Sequence, residues 1–180
     1  MSRLKIAVFG HRHLDDPHHL EISILAAAQR IQDVYPSVVY QVYSCLAEGA
    51  DRLLASKFIQ TLPADLKAVL PLPEQEYLKD FHSEKSKQEF HQLKRLARKV
   101  IVPDQLIIRP QAYREANHYL MQNCDLFVTI WDGLPARGPG GTAELVEMVR
   151  LSERPLLWIH VNDGSPTGHL IVERLNPVTK

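Results

Sequence analysis

Leu126-Phe127-Val128-Thr129-Ile130-Trp131 is a run of six β-branched, aromatic or aliphatic residues, followed at once by Asp132-Gly133. Alternate residues of a strand point to opposite faces, and here both sets are almost wholly apolar. A strand of this kind has to be covered from both sides, as in a parallel sheet sandwiched between helices.

The rest of the chain repeats the theme outward from this strand. Upstream, Lys5 to Phe9, Val38 to Ser44, Asp65 to Leu70 and Lys99 to Val102 read as strands. Downstream, Pro155 to Val161 reads as the last one. Helical stretches alternate with them: Leu20 to Val34, Ala50 to Gln60, a two-piece segment from Glu74 to Arg98, Ala112 to Asn123, and Ala143 to Ser152. In the first helix the apolar rhythm of Ile22, Leu25, Ala26, Ile31 and Val34 marks the expected core face, with Asp15 or Asp16 followed by Pro17 as its start. In the Glu74 to Arg98 segment, Phe81, Phe90, Leu93 and Leu96 are expected to face inward. Strand–helix alternation predicts crossover connections and a mainly parallel α/β sheet with helices on both faces. The 180 residues suit a single Rossmann-like three-layer domain, 1–180.

Composition narrows the function classes. Hydrophobic residues make up 45%, enough for a packed core, and 21 basic side chains balance 21 acidic ones. Zero net charge argues against nucleic acid as the main partner, since that affinity comes largely from neutralised phosphates. No apolar run approaches the ~20 residues needed to cross a bilayer, and no signal segment precedes the first strand. The expectation is a cytoplasmic protein. Cys45 and Cys124 are far apart, lie in apolar stretches, and are expected to be buried thiols. His11, His13, His18 and His19 with Asp15 and Asp16 lack diagnostic ligand spacing, so no metal site is expected.

In parallel sheets ligands sit beyond the carboxyl ends of the strands. Three such loops stand out. Gly10-His11-Arg12 follows the first strand and offers a forked permanent charge. Glu48-Gly49-Ala50-Asp51-Arg52 follows the second and places a glycine at a helix start, where unpaired N–H groups meet anions. Asp51 also makes sense there as a cap. Trp131-Asp132-Gly133 leads into Leu134-Pro135-Ala136-Arg137-Gly138-Pro139-Gly140-Gly141-Thr142-Ala143-Glu144, the strongest signal. Glycines, a hydroxyl and the positive end of a helix dipole converge there, with Glu144 in the first turn. Glu144 has two readings, a helix cap or a general acid or base toward the ligand. No Walker Gly-Lys-Ser/Thr is present, and no G-x-G-x-x-G follows the first strand.

Gly-His-Arg, Leu-Ala-Glu-Gly-Ala-Asp-Arg, and Cys-Asp-Leu-Phe-Val-Thr-Ile-Trp-Asp-Gly leading into Gly-Gly-Thr-Ala-Glu together resemble the SLOG superfamily. That group includes LOG cytokinin-type phosphoribohydrolases, DprA-type DNA-processing proteins and sensor domains associated with TIR proteins in bacterial defence. The resemblance runs from about Lys5 to Val161 and implies a Rossmann-like sheet with a pocket over the strand ends. It implies that Gly10 and Arg12 line the pocket, that Gly49, Ala50 and Asp51 form a second wall, and that Gly140, Gly141 and Thr142 bind phosphate with Glu144 near the ribose. His11, Glu48, Arg52, Trp131, Asp132 and Gly133 complete the candidate ligand set. In the LOG enzymes the glutamate stands three residues after the threonine; here it stands two after. Arg98-Lys99 falls at a helix end, where LOG enzymes carry their Arg-Lys pair at a helix start. The chain therefore sits nearer the sensor-like branch. The implied ligand is a nucleotide or ADP-ribose-like molecule, with no certain cofactor, a homodimer and a separate effector protein as expected partners. A nucleoside 5′-monophosphate N-glycosidase and a DprA-like single-stranded DNA binder are the alternatives.

Overall fold

The computed structural model describes residues 2–103, 108–135, 138–161 and 167–175. Seven strands form one sheet: β1 (Arg3–Gly10), β2 (Val39–Ser44), β3 (Ala64–Val69), β4 (Lys99–Ile101), β5 (Leu126–Trp131), β6 (Leu156–His160) and β7 (His169–Glu173). The spatial order is β4-β3-β2-β1-β5-β6-β7. Every pairing is parallel except β6 with β7. The helices are α1 (Glu21–Val34), α2 (Ala50–Thr61), α3 (Glu74–Tyr77), α4 (Glu84–Leu96), α5 (Arg109–Asn123) and α6 (Thr142–Leu151), with a 3₁₀ turn at Leu78–Asp80.

The fold is the expected three-layer α/β sandwich. Leu126, Val128 and Ile130 of β5 pack with α1, α2 and α4 on one face. Phe127 and Trp131 pack with α5 and α6 on the other. All six residues of β5 are buried, as a strand covered on both sides requires.

Four sequence readings need correction. The buried face of α1 is Ser23, Ile24, Ala27, Ala28 and Ile31, while Ile22 and Leu25 are exposed. A serine in the core position disguised the register. Its hydroxyl is satisfied by the Thr167 and Gly168 carbonyls, at 2.8 and 3.2 Å. The helix begins at Glu21 without a side-chain cap, so Asp15 and Asp16 do not start it. Leu96 is exposed. Three-residue steps turn a helix 300°, so Phe90, Leu93 and Leu96 drift progressively off the buried stripe. Strand β7 was not foreseen. It joins the sheet antiparallel, in the segment His169-Leu170-Ile171-Val172-Glu173, after β6.

Candidate functional site

The chain leaves β1 toward one side of the sheet and β5 toward the other. The gap between them at the carboxyl ends is the switch point where α/β sheets bind ligands. A cavity of about 900 Å³ opens there. Its rim and walls take Gly10, His11 and Arg12 from the end of β1, Asp51 from α2, Trp131 and Asp132 from the end of β5, and Gly140, Gly141 and Thr142 from the start of α6. These nine candidates from three separate stretches of sequence come together.

Arg12 is held at the mouth. Its guanidinium lies 5.6 Å from the centre of the Tyr113 ring and 3.8 Å from Asp80 Oδ2. Asp80 is shared: it also pairs with Arg109 and accepts from the Tyr113 hydroxyl. The 3.8 Å separation from Arg12 exceeds hydrogen-bond distance, which leaves that guanidinium's donors accessible to an anion. His11 ties the two strand ends together. Its Nε2 lies 2.9 Å from Asp132 Oδ1 and 3.1 Å from the Asp132 backbone nitrogen.

Gly141 caps α6, and no described side chain satisfies the first-turn amides from the cap position. The end of the helix that faces the cavity therefore carries unpaired N–H groups and the positive end of the dipole. Gly140 has φ +72°, and a Cβ there would fall 2.4 Å from Tyr113 Cβ, so the glycine loop lies directly against α5. Ala136 and Arg137 of the same loop lie outside the described residues.

Asp51 is not merely a helix-start residue. It is 4% exposed, and its carboxyl lines the cavity. Burial pushes its pKa up to about 7, against the Arg12 charge and backbone N–H groups of Gly10, Ala47 and Cys45 that favour the ionised form. Cys45 lines the same cavity, and burial together with the Asp51 charge pushes its thiol well up, so it stays a neutral thiol.

The remaining candidates lie elsewhere. Ala50 is fully buried beneath Gly10. Gly133 faces Trp158 and His160 rather than the cavity. Glu48, Gly49 and Arg52 border a smaller recess of about 280 Å³ beside α4. Arg52 there acts as a clamp: it donates to Leu46 O at 2.9 Å and to Ser86 O and Oγ at 2.9 and 2.8 Å, and it stacks 4.4 Å over Phe81. Glu48 accepts from the Ser86 hydroxyl and from the His82 N–H. Glu144 does not line the cavity. Its carboxylate accepts from Gly140 N–H at 2.9 Å and from Arg114 Nε at 3.1 Å, which is the capping alternative. Arg98 pairs with Asp65 at the start of β4, away from the site.

Sequence reading missed Tyr77, Asp80, Tyr113 and Asn117. Asn117 left a readable signal, because it interrupts the buried α5 stripe of Ala112, Ala116 and Leu120. Tyr77 and Asp80 left none, since α3 and the 3₁₀ turn are too short for periodicity.

No protein-family model matches the chain, and no curated protein matches it. Among solved structures it is similar to DNA processing protein A (DprA) from Streptococcus pneumoniae, with a TM-score of 0.53 and 16% identity. The match covers 91% of this chain and 53% of that one, so the chain spans about half the length of its structural neighbour. At that identity the shared property is the Rossmann-like fold. Among the described residues no helix is long and apolar enough to cross a membrane.

Proposed function

We propose that this chain binds a nucleotide or nucleotide-derived phosphate ligand in the switch-point cavity. One observation carries the reading: the uncapped start of α6 and the Arg12 guanidinium, which follow the neighbouring strands β5 and β1, border the same cavity. Oriented amides and a forked cation are the two elements that phosphate recognition uses most. The cavity volume falls in the range of small-molecule and cofactor sites. In this reading the protein is a sensor-like module whose output passes through self-association or a separate effector protein.

Calorimetric titration with AMP and ADP-ribose tests it. The expected result is saturable binding by one of them, lost in Arg12→Ala. Absence of heat and of any melting shift with both ligands would overturn it.

Turnover is the second reading, and it rests on Asp51 rather than Glu144. Asp51 is a buried carboxyl of the cavity lining, and a group titrating near neutrality suits general acid–base work at an N-glycosidic bond. Chromatography of AMP incubated with protein would reveal free adenine; intact AMP at high protein concentration would remove this reading. A DNA-handling role in the manner of the structural neighbour has less behind it, because zero net charge supplies little pull on a phosphate backbone.

A further inference from the structure

Arg12, the cation of the phosphate reading, has a carboxylate for a neighbour. Its Nη2 lies 3.8 Å from Asp80 Oδ2. Charge-assisted hydrogen bonds close at about 2.7–2.9 Å, so about 1 Å of further approach would make a full ion pair. A guanidinium neutralised in that way would be a poor receptor for an anion. The Asp80 side chain is 15% exposed, so water screens this attraction only in part.

The contacts of Asp80 show what keeps the pair open. Oδ1 accepts from Arg109 Nη1. Oδ2, the oxygen set against Arg12, accepts from the Tyr113 hydroxyl. Arg109 is itself anchored on α3, where it donates to Glu76 O at 2.8 Å. The same tyrosine meets Arg12 directly: the guanidinium carbon lies 5.6 Å from the centre of its ring, within cation–π range. The glycine loop that leads into α6 also rests on this residue, since a Cβ on Gly140 would fall 2.4 Å from Tyr113 Cβ. Arg12 and Tyr113 both line the cavity, and Asp80 stands outside its lining.

We propose that Tyr113 is a positioning residue for the phosphate ligand: its ring holds Arg12 at the cavity mouth, and its hydroxyl occupies the Asp80 oxygen that would otherwise draw the guanidinium away. The assignment rests on the phosphate reading above and goes beyond it by naming what keeps the cation available. Ring and hydroxyl act on the same guanidinium and can be removed separately. Without the hydroxyl, Asp80 keeps Arg109 but has an oxygen open, and Arg12 stands 3.8 Å from it.

The test is a double-mutant cycle read by calorimetry with AMP and ADP-ribose, on the wild-type chain, Tyr113→Phe, Asp80→Asn and the double variant. Tyr113→Phe is expected to weaken binding about fivefold or more, and adding Asp80→Asn to restore it to within about twofold of the wild type, because the competing charge is gone. In the wild-type background Asp80→Asn should shift affinity by less than about twofold, since the hydroxyl already holds the carboxylate off. Tyr113→Leu, which removes the ring as well, should bind more weakly than Tyr113→Phe and regain only part of its loss from Asp80→Asn. Undiminished affinity in Tyr113→Phe would overturn the assignment and leave phosphate binding standing. A loss that Asp80→Asn does not repair would also overturn it, because Tyr113 would then be a structural support. So would an equal gain from Asp80→Asn in both backgrounds. Tyr113→Phe removes a single oxygen and keeps the aromatic packing, so it gives an answer even if the double variant unfolds. Wild-type protein that binds neither ligand would defeat the phosphate reading and this one with it.

Discussion

Two helix starts in this molecule look alike in sequence and differ in use. Glu48-Gly49-Ala50-Asp51 opens α2, and Gly140-Gly141-Thr142-Ala143-Glu144 opens α6. Each has a glycine at the cap and a carboxylate in the first turn. At α2 the amides are spent inside the protein. Ala50 N–H donates to His11 O at 2.9 Å, and the Gly49 backbone presses against the carbonyls of His11 and Arg12. At α6 the carboxylate of Glu144 turns back to Gly140 N–H, and the helix start faces the cavity. A helix N-terminus is available to an anion only where no backbone carbonyl has already claimed its amides. The carboxylates are reversed in the same way: Asp51 of the closed start enters the cavity, and Glu144 of the open start leaves it.

The contrast can be broken most severely at Gly49. With φ +77° and a Cβ position 2.4 Å from two backbone carbonyl oxygens, Gly49→Ala is expected to cost about 3 kcal/mol or more, lowering the melting temperature by about 10 °C. Gly141→Ala, at the open start, meets only Gly138 O at 3.2 Å and should cost no more than about 1 kcal/mol. Thermal unfolding of the two variants side by side checks the difference, and equal losses would refute it.

The next effect is on pH dependence. The Asp51 carboxyl titrates from 3.8 in its ordinary state to about 7 in the folded protein. Between those values the folded chain holds a proton that the unfolded chain has released. Stability should therefore fall as pH rises through that window, by up to about 1.4 kcal/mol per unit, and level off above it. Asp51→Asn should flatten this component, as melting curves from pH 4 to 8 would reveal. An unchanged slope would mean that Asp51 is ionised throughout.

Ligand affinity comes third. Arg12→Ala removes the charged donor at the cavity mouth and is expected to weaken AMP binding by about 10- to 100-fold, with little loss of stability. Arg52→Ala, at the clamp beside the closed start, should do the reverse. The smallest effect belongs to Glu144→Gln. Its partner Arg114 is half-exposed, so stability should change by less than about 1 kcal/mol and AMP affinity by less than twofold. A large loss of binding in Glu144→Gln would return that carboxylate to the cavity and favour its reading as a general acid or base.

Much of the fold was legible because it is written locally. The β5 run is apolar on both faces and could belong only to a covered strand. The alternation of strand and helix then dictated parallel pairing. Readings failed where local chemistry imitated something else. Ser23 concealed the α1 core face because its hydroxyl is paid for by carbonyls some 145 positions away in sequence. Strand β7 was missed because, among the described residues, it pairs with β6 alone, and its outward residues are as exposed as a loop's. The site was legible to the level of loops: nine of the fifteen candidates meet in the cavity. It was not legible to the level of side-chain direction, which placed Glu144 and Arg52 outside.

Periodicity and glycine spacing are properties of neighbouring residues, and the sequence alone determined what depends on them: the α/β class, the parallel sheet, and the three loops at its carboxyl edge. Tertiary structure decided which of two similar helix starts stays open and which of their two first-turn carboxylates lines the cavity. Each of those depends on a contact between distant segments: Gly49 with the β1 loop, Gly140 with α5, Asp51 beneath Arg12. Hydrogen bonds and burial choose between alternatives that residue type leaves equal, and they exist only once the sheet has brought the segments together.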